Sequence, residues 1–218
     1  MAIVSISRLF GAGGKTLGEM VADRLKYQFL HEEVLDKCAR EAEVHQDCFP
    51  QDEKSCPAIC GQPLPQFLAS LGPLNFLDRY STQDQDQVDE AKHVDYLTRV
   101  VREIVKQDNL VLLGRGTQFI LHDHPRALKV LLVADLADRL RFMRDRYQME
   151  EGRARPLIAN AEKNRARLLK HFYPGEPHES TLYHLVINTS RVDLEVAKVQ
   201  ICRLVWRLID KLPEPLEV

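Results

Sequence analysis

The stretch AIVSISRLFGAGGKTLGEM, residues 2–20, decides the fold. Apolar residues dominate Ala2 to Ile6, as in a buried strand. Gly11, Gly13 and Gly14 crowd behind them, and Lys15 and Thr16 then open a helical pattern. That order is what a phosphate cradle needs. Glycines let successive backbone N–H groups converge on an anion with no Cβ in the way. The helix N-terminus adds partial positive charge and Lys15 a full one. Thr16 places a hydroxyl within reach of a nucleotide-bound Mg²⁺. The stretch matches the Walker A pattern G-x-x-x-x-G-K-[ST] except that Leu9 stands at its first glycine. A glycine turn that merely joins a strand to a helix is the plainer alternative. The strand, loop and helix in the required order favour phosphate.

Outward from this stretch the chain alternates strand and helix. Lys15 to Lys26 carries an apolar stripe of Leu17, Val21, Ala22 and Leu25. Tyr27 to Leu30 reads as a short strand, and His31 to Glu43 as a second helix. From His45 to Pro65 no period survives among Pro50, Pro57, Gly61 and Pro63, which predicts a loop or insertion. It holds His45, Cys48, Cys56 and Cys60 without the paired C-x-x-C spacing of a zinc site, so free thiols are the expectation there. Val88 to Gln107 predicts a long helix. Leu110 to Leu113 and Leu128 to Ala134 read as strands buried on both faces, and Leu185 to Ile187 as the last core strand. Leu136 to Tyr147 predicts a helix, Glu150 to Phe172 a charged helical segment interrupted near Pro156, and Asp193 to Leu212 a closing amphipathic helix. Five strands alternating with helices predict a parallel, three-layer α/β/α sheet in one domain. Ligands in such sheets bind at the carboxyl ends of the strands, where Gly11 to Thr16, Gly114-Arg115, Asp135 and Asn188 to Ser190 all fall.

A length of 218 residues suits one such domain, and 44% hydrophobic with 28% charged residues fits a soluble globular chain. The formal net charge of −2 argues against a nucleic-acid partner. No apolar run is long enough to span a bilayer, so no membrane partner is expected. Five cysteines, an odd number, together with the absence of a signal-peptide layout make the cytoplasm the expected compartment.

Arginines supply the second signal. Arg139, Arg141, Arg144 and Arg146 lie on the helix after a core strand, and Arg153, Arg155, Arg165 and Arg167 follow. Phosphoryl transfer needs negative charge neutralised and water excluded, and guanidinium forks do this bidentately. Arg144 and Arg165 are the expected catalytic pair. A solvated helical face, with Asp138, Asp145 and Glu162 as ion-pair partners, is the alternative for any one of them. Arg8 is expected to form a surface ion pair, contact with phosphate being the other reading. Arg79 belongs either to an acceptor lobe or to an exposed helix end. His122-Asp123-His124 reads as a polar loop rather than a metal clip, and Trp206 as core packing.

Three segments, ISRLFGAGGKTLGEMVADRL (6–25), LVLLGRGTQFILHDHPRALKVLLVADLADRLRFMRDR (110–146) and YHLVINTSR (183–191), resemble the cytidylate kinase-like family. The resemblance implies a P-loop kinase fold with a helical lid over 148–178, ATP and Mg²⁺ as donor, and a small nucleotide acceptor. It puts Gly11, Ala12, Gly13, Gly14, Lys15 and Thr16 on the phosphate loop, Thr16 serving the metal. Asn188 and Thr189 fall at the adenine site, where helix capping explains the stretch as well. Arg115 belongs to a Gly-Arg pair that helps hold the acceptor, with Arg139 further along the same match. In true cytidylate kinases Asp follows that pair, whereas Gly116 stands here. Residues 45–85, the least matched, are the place for an acceptor lobe. The leading function is ATP-dependent phosphorylation of a nucleoside monophosphate, CMP or dCMP first. The alternatives are a kinase of another small metabolite, or a nucleotide-binding regulatory module without turnover.

Overall fold

A computed structural model describes residues 2–44, 58–59, 62–63, 66, 90–175 and 178–208. Strand β1 (Ile3–Arg8) is buried along its whole length. It pairs in parallel with β5 (Leu110–Leu113) on one side and β6 (Ala127–Val133) on the other. Strand β2 (Gln28–Leu30) flanks β5, and β7 (Leu185–Asn188) flanks β6, giving a five-stranded parallel sheet in the order β2-β5-β1-β6-β7. The chain leaves β1 toward β2 on one side and β6 toward β7 on the other. The switch point therefore falls beside β1, at the carboxyl end that carries the glycine loop.

Alternation along the strands sorts the core into two layers. Ile3, Leu110 and Leu112 face α2 (Glu32–Val44) and α3 (Glu90–Ile104, continued as a 3₁₀ turn over Val105–Gln107). Val4, Ile6, Val111 and Leu113 face α1 (Gly14–Leu25) and α7 (Leu194–Leu208). A one-turn helix α4 (Thr117–Ile120) follows β5, and α5 (Leu136–Tyr147) follows β6. The long α6 (Glu151–Lys170) lies against α5 through an apolar cluster of Leu140, Met143, Ala154, Ile158 and Ala161. Phe10, from the glycine loop, belongs to that same cluster. The segment expected as a lid is thus anchored on the loop by a buried ring.

Two expectations are corrected. Helix α6 runs unbroken through Pro156. The proline forfeits one bond, to the carbonyl of Gly152, and Gly152 sits in the open first turn where a Cβ would touch nothing. The stretch read as patternless contains a small antiparallel pair, β3 (Ala58–Ile59) with β4 (Gln62–Pro63), too short to show alternation in sequence. The last helix is described to Leu208, and residues 209–212 of the expected helix lie outside the described residues. Among the described residues no helix is long and apolar enough to cross a membrane.

Candidate active site

The loop closes as its glycines dictate. Gly11 and Gly13 take φ values of +85° and +78°, a left-handed backbone that other residues enter at a cost. Gly13 caps α1, whose first backbone bond runs from Leu17 N–H to the Gly13 carbonyl at 2.9 Å. The N–H groups of Gly14, Lys15 and Thr16 therefore precede the helical ladder and suit an anion. Leu9, at the place of the first Walker glycine, hydrogen-bonds its N–H to Leu132 at 2.9 Å and packs on the core, so the loop enters from the sheet rather than from a free turn. A small, open pocket lies here, lined by Arg8, Gly11, Gly13, Gly14, Lys15 and Thr16, with Phe142, Met143 and Tyr147 of α5 as its wall. These residues fit a polyphosphate with its Mg²⁺: N–H groups, one ammonium and one hydroxyl converge on the same space.

Arg139 does not reach out of α5 toward an acceptor. It is buried, pairs with Glu162 of α6 and donates to the Phe10 carbonyl at 3.4 Å, while its Cβ lies against Gly11. It braces α6 on the loop. Arg144 is on the solvent side of α5, whose buried face is Arg139, Leu140 and Met143; its side chain is 66% exposed and pairs with Asp145 at 2.8 Å. The structure does not bring Arg144 to the pocket. Arg165, by contrast, spans from α6 to the end of β1, where Nη2 donates to Ser7 Oγ at 2.6 Å. Tyr183 donates to the same oxygen at 3.3 Å. Arg165 Nη1 donates to His178 Nε2, which requires that nitrogen to be unprotonated. Desolvation first, and Arg165's charge second, hold His178 down to about 4. Burial, then the charge of Arg8, lower Arg165 to about 10.

Arg8 forms no surface ion pair. It is 7% exposed and meets Glu32, 4% exposed, at 2.5 Å. Its stem passes under Gly14, where a Cβ would lie 2.9 Å from Cγ, and its guanidinium reaches Gly114, where a Cβ would lie 2.9 Å from Nη1. One turn further along α2, Asp36 holds Arg115 at 2.7 Å, with His93 of α3 at 3.5 Å on its other oxygen. The carboxylates four residues apart thus each hold an arginine from a strand's carboxyl end. Gly116 has φ +71°, and a Cβ there would sit 2.6 Å from the Phe172 ring. Phe172 and Tyr173 both stack on Phe119, at 6.4 and 5.2 Å between centroids. An aspartate at 116 has no room.

At the other end, Thr189 donates to the Ala12 carbonyl at 3.2 Å, tying β7 to the loop. Asn188 Oδ1 accepts from Ser190 N–H at 2.9 Å, and Ser190 Oγ from Asp135 N–H at 2.8 Å. Asp135 is exposed, with Arg191 at 3.6 Å. His122 pairs with Asp123 at 2.8 Å, and no metal-ligating cluster occurs among the described residues. Arg79, His45, Cys48, Cys56 and Cys60 lie outside the described residues. Ser7, Glu32, Asp36, His178 and Tyr183 are the polar groups that sequence reading missed. Glu32 and Asp36 carried a signal: acids spaced i, i+4 directly after a strand's carboxyl end.

The parallel sheet and its glycine loop define a P-loop protein of the kinase fold. The model of the cytidylate kinase-like family matches residues 3–191, and the chain belongs to that family. It is 29% identical over 123 residues to a cytidylate kinase from Methanopyrus kandleri, a match covering 53% of this chain and 62% of that one. Among solved structures, an uncharacterized protein from Eubacterium ventriosum superposes with a TM-score of 0.65 at 17% identity, over 94% of this chain and 97% of the other. A gluconokinase from Sinorhizobium meliloti reaches 0.50 at 12% identity, over 97% and 98%. These likenesses concern the fold.

Proposed function

We propose that this protein transfers the γ-phosphoryl group of ATP to the phosphate of a nucleoside monophosphate, with CMP or dCMP first. The observation that carries the reading is the shared pocket of Lys15, Thr16 and the loop glycines, with Arg165 delivered by the lid to the end of the same strand. ATP with Mg²⁺ supplies the phosphoryl group, and Thr16 is the protein ligand suited to the metal. The loop N–H groups and Lys15 hold the donor phosphates and draw off negative charge as it shifts toward the leaving ADP. An acceptor phosphate oxygen bonds to the γ-phosphorus as the bond to ADP breaks, yielding ADP and a nucleoside diphosphate. Arg115, held by Asp36, is the residue assigned to the acceptor phosphate. Arg139 takes the role of brace rather than substrate ligand. Family membership supports kinase chemistry of this kind.

One observation favours a second reading, a different small acceptor. The position that carries an acid in true cytidylate kinases is here a glycine backed by Phe172, so an aromatic wall replaces a carboxylate. A coupled ATP-to-ADP assay with Mg²⁺ across ribo- and deoxynucleoside monophosphates separates the two. Turnover with CMP or dCMP supports the first. Tight ATP binding with silence across the panel supports another acceptor or a regulatory module without turnover.

A further inference from the structure

Arg8 has no assigned part in the chemistry, yet its placement is costly. A buried guanidinium must be paired, and here a buried carboxylate, Glu32, is brought to it from the first turn of α2 at 2.5 Å. Two positions without side chains, Gly14 and Gly114, let it pass between loop and sheet. An apolar side chain would fill that space without any partner, since replacing buried ion pairs by apolar groups is often neutral or stabilising. The outlay is intelligible if the guanidinium serves the pocket, and Arg8 does line it beside Lys15 and Thr16. Arg165 reaches Ser7, the residue next to Arg8, from the opposite side. Arg8 and Lys15 thus share one pocket lining, with Arg165 bonded one residue away at Ser7, and that grouping of cations suits a group gaining negative charge.

We infer that Arg8 is a catalytic residue that contacts the transferring phosphoryl group from the sheet side, and that Glu32 is the residue positioning it. The inference rests on the phosphoryl-transfer reading but not on any particular acceptor. Arg8 is held in place by Glu32, so its fork is set before substrate arrives. Lysine at position 8 keeps the charge and loses the planar fork.

The test is binding rather than turnover: calorimetric titration with ADP and Mg²⁺, with and without aluminium fluoride, a mimic of the transferring group. In the native chain fluoride tightens ADP binding. Arg8→Lys loses about tenfold or more of that tightening, read as the ratio of its ADP affinities with and without fluoride. Glu32→Gln loses about three- to tenfold, because the neutral amide holds the fork less firmly. Full tightening in Arg8→Lys, or none in the native chain, overturns the inference. If Arg8→Lys melts below the assay temperature, Glu32→Gln decides, and undiminished tightening there overturns it. A native chain that phosphorylates no nucleoside monophosphate but loses the fluoride effect in these variants keeps the inference and removes the acceptor reading. Turnover of CMP with the fluoride effect intact in the variants does the reverse.

Discussion

The glycine loop and the arginine set, proposed to hold the same kind of group, are built by opposite means. The loop acts through backbone: Gly11 and Gly13 turn left-handed, and helix α1 begins at once behind them. Its parts are consecutive in the chain. The arginines act through side chains assembled from afar, Arg8 with Glu32, Arg115 with Asp36, Arg165 with Ser7. Eight arginines on α5 and α6 looked equivalent in sequence; tertiary packing made Arg139 a brace, Arg165 a partner of Ser7 in β1 and Arg144 a solvent residue. A backbone site can be read locally, while a side-chain site is defined by the partner that each charge finds.

Perturbing each half separately tests that contrast. The largest effect belongs to the assembled half. Glu32→Ala strands the buried Arg8 charge and costs about 3–5 kcal/mol of folding free energy by chemical denaturation. A loss under 1 kcal/mol would mean that Arg8 finds water. In the local half, Lys15→Ala lowers the ATP-dependent transfer rate about a hundredfold or more in steady-state assay. It shifts folding stability by no more than about 0.5 kcal/mol. Where the two halves touch, Gly114→Ala forces φ +76° on a residue with a Cβ and sets it 2.9 Å from Arg8 Nη1. The expected cost is about 1–3 kcal/mol, read from denaturant midpoints.

A pH titration sharpens the comparison where Arg165 of α6 meets His178. His178 accepts from Arg165 only when neutral, and its folded value of about 4 lies below the unfolded 6.5. Between those values the unfolded chain binds the proton and the folded chain does not, so stability present above pH 6.5 is lost as pH falls toward 4. His178→Gln should flatten that segment of the profile of denaturation midpoint against pH. An unchanged slope would move its cause to other groups. The smallest effect is Arg144→Ala, whose exposed partner Asp145 makes the pair worth little. Both stability, within about 0.5 kcal/mol, and transfer rate should stay at the native level.

Much of the fold was legible because its signals are local. Leu110–Leu113 reads as a buried strand and is one, and Leu136–Tyr147 has the expected bounds. The glycine loop was legible for the same reason. Pro156 misled because the cost of a proline depends on what stands four residues before it, and Gly152 leaves that place open. Arg8 misled because a charged residue at a strand end is usually solvated, and the i, i+4 spacing of Glu32 and Asp36 does not say which arginine each will meet.

Sequence alone determined the alternation of strand and helix, the glycine loop at the carboxyl end of β1 and the presence of an arginine-rich segment after β6. Hydrophobic period, glycine spacing and charge are properties of neighbours along the chain. Tertiary structure alone decided the order of the strands, the room denied to any side chain at Gly116 by Phe172, and which arginines face the pocket. Each depends on residues far apart in sequence meeting in one geometry, and the free energy of a buried charge is set by that meeting.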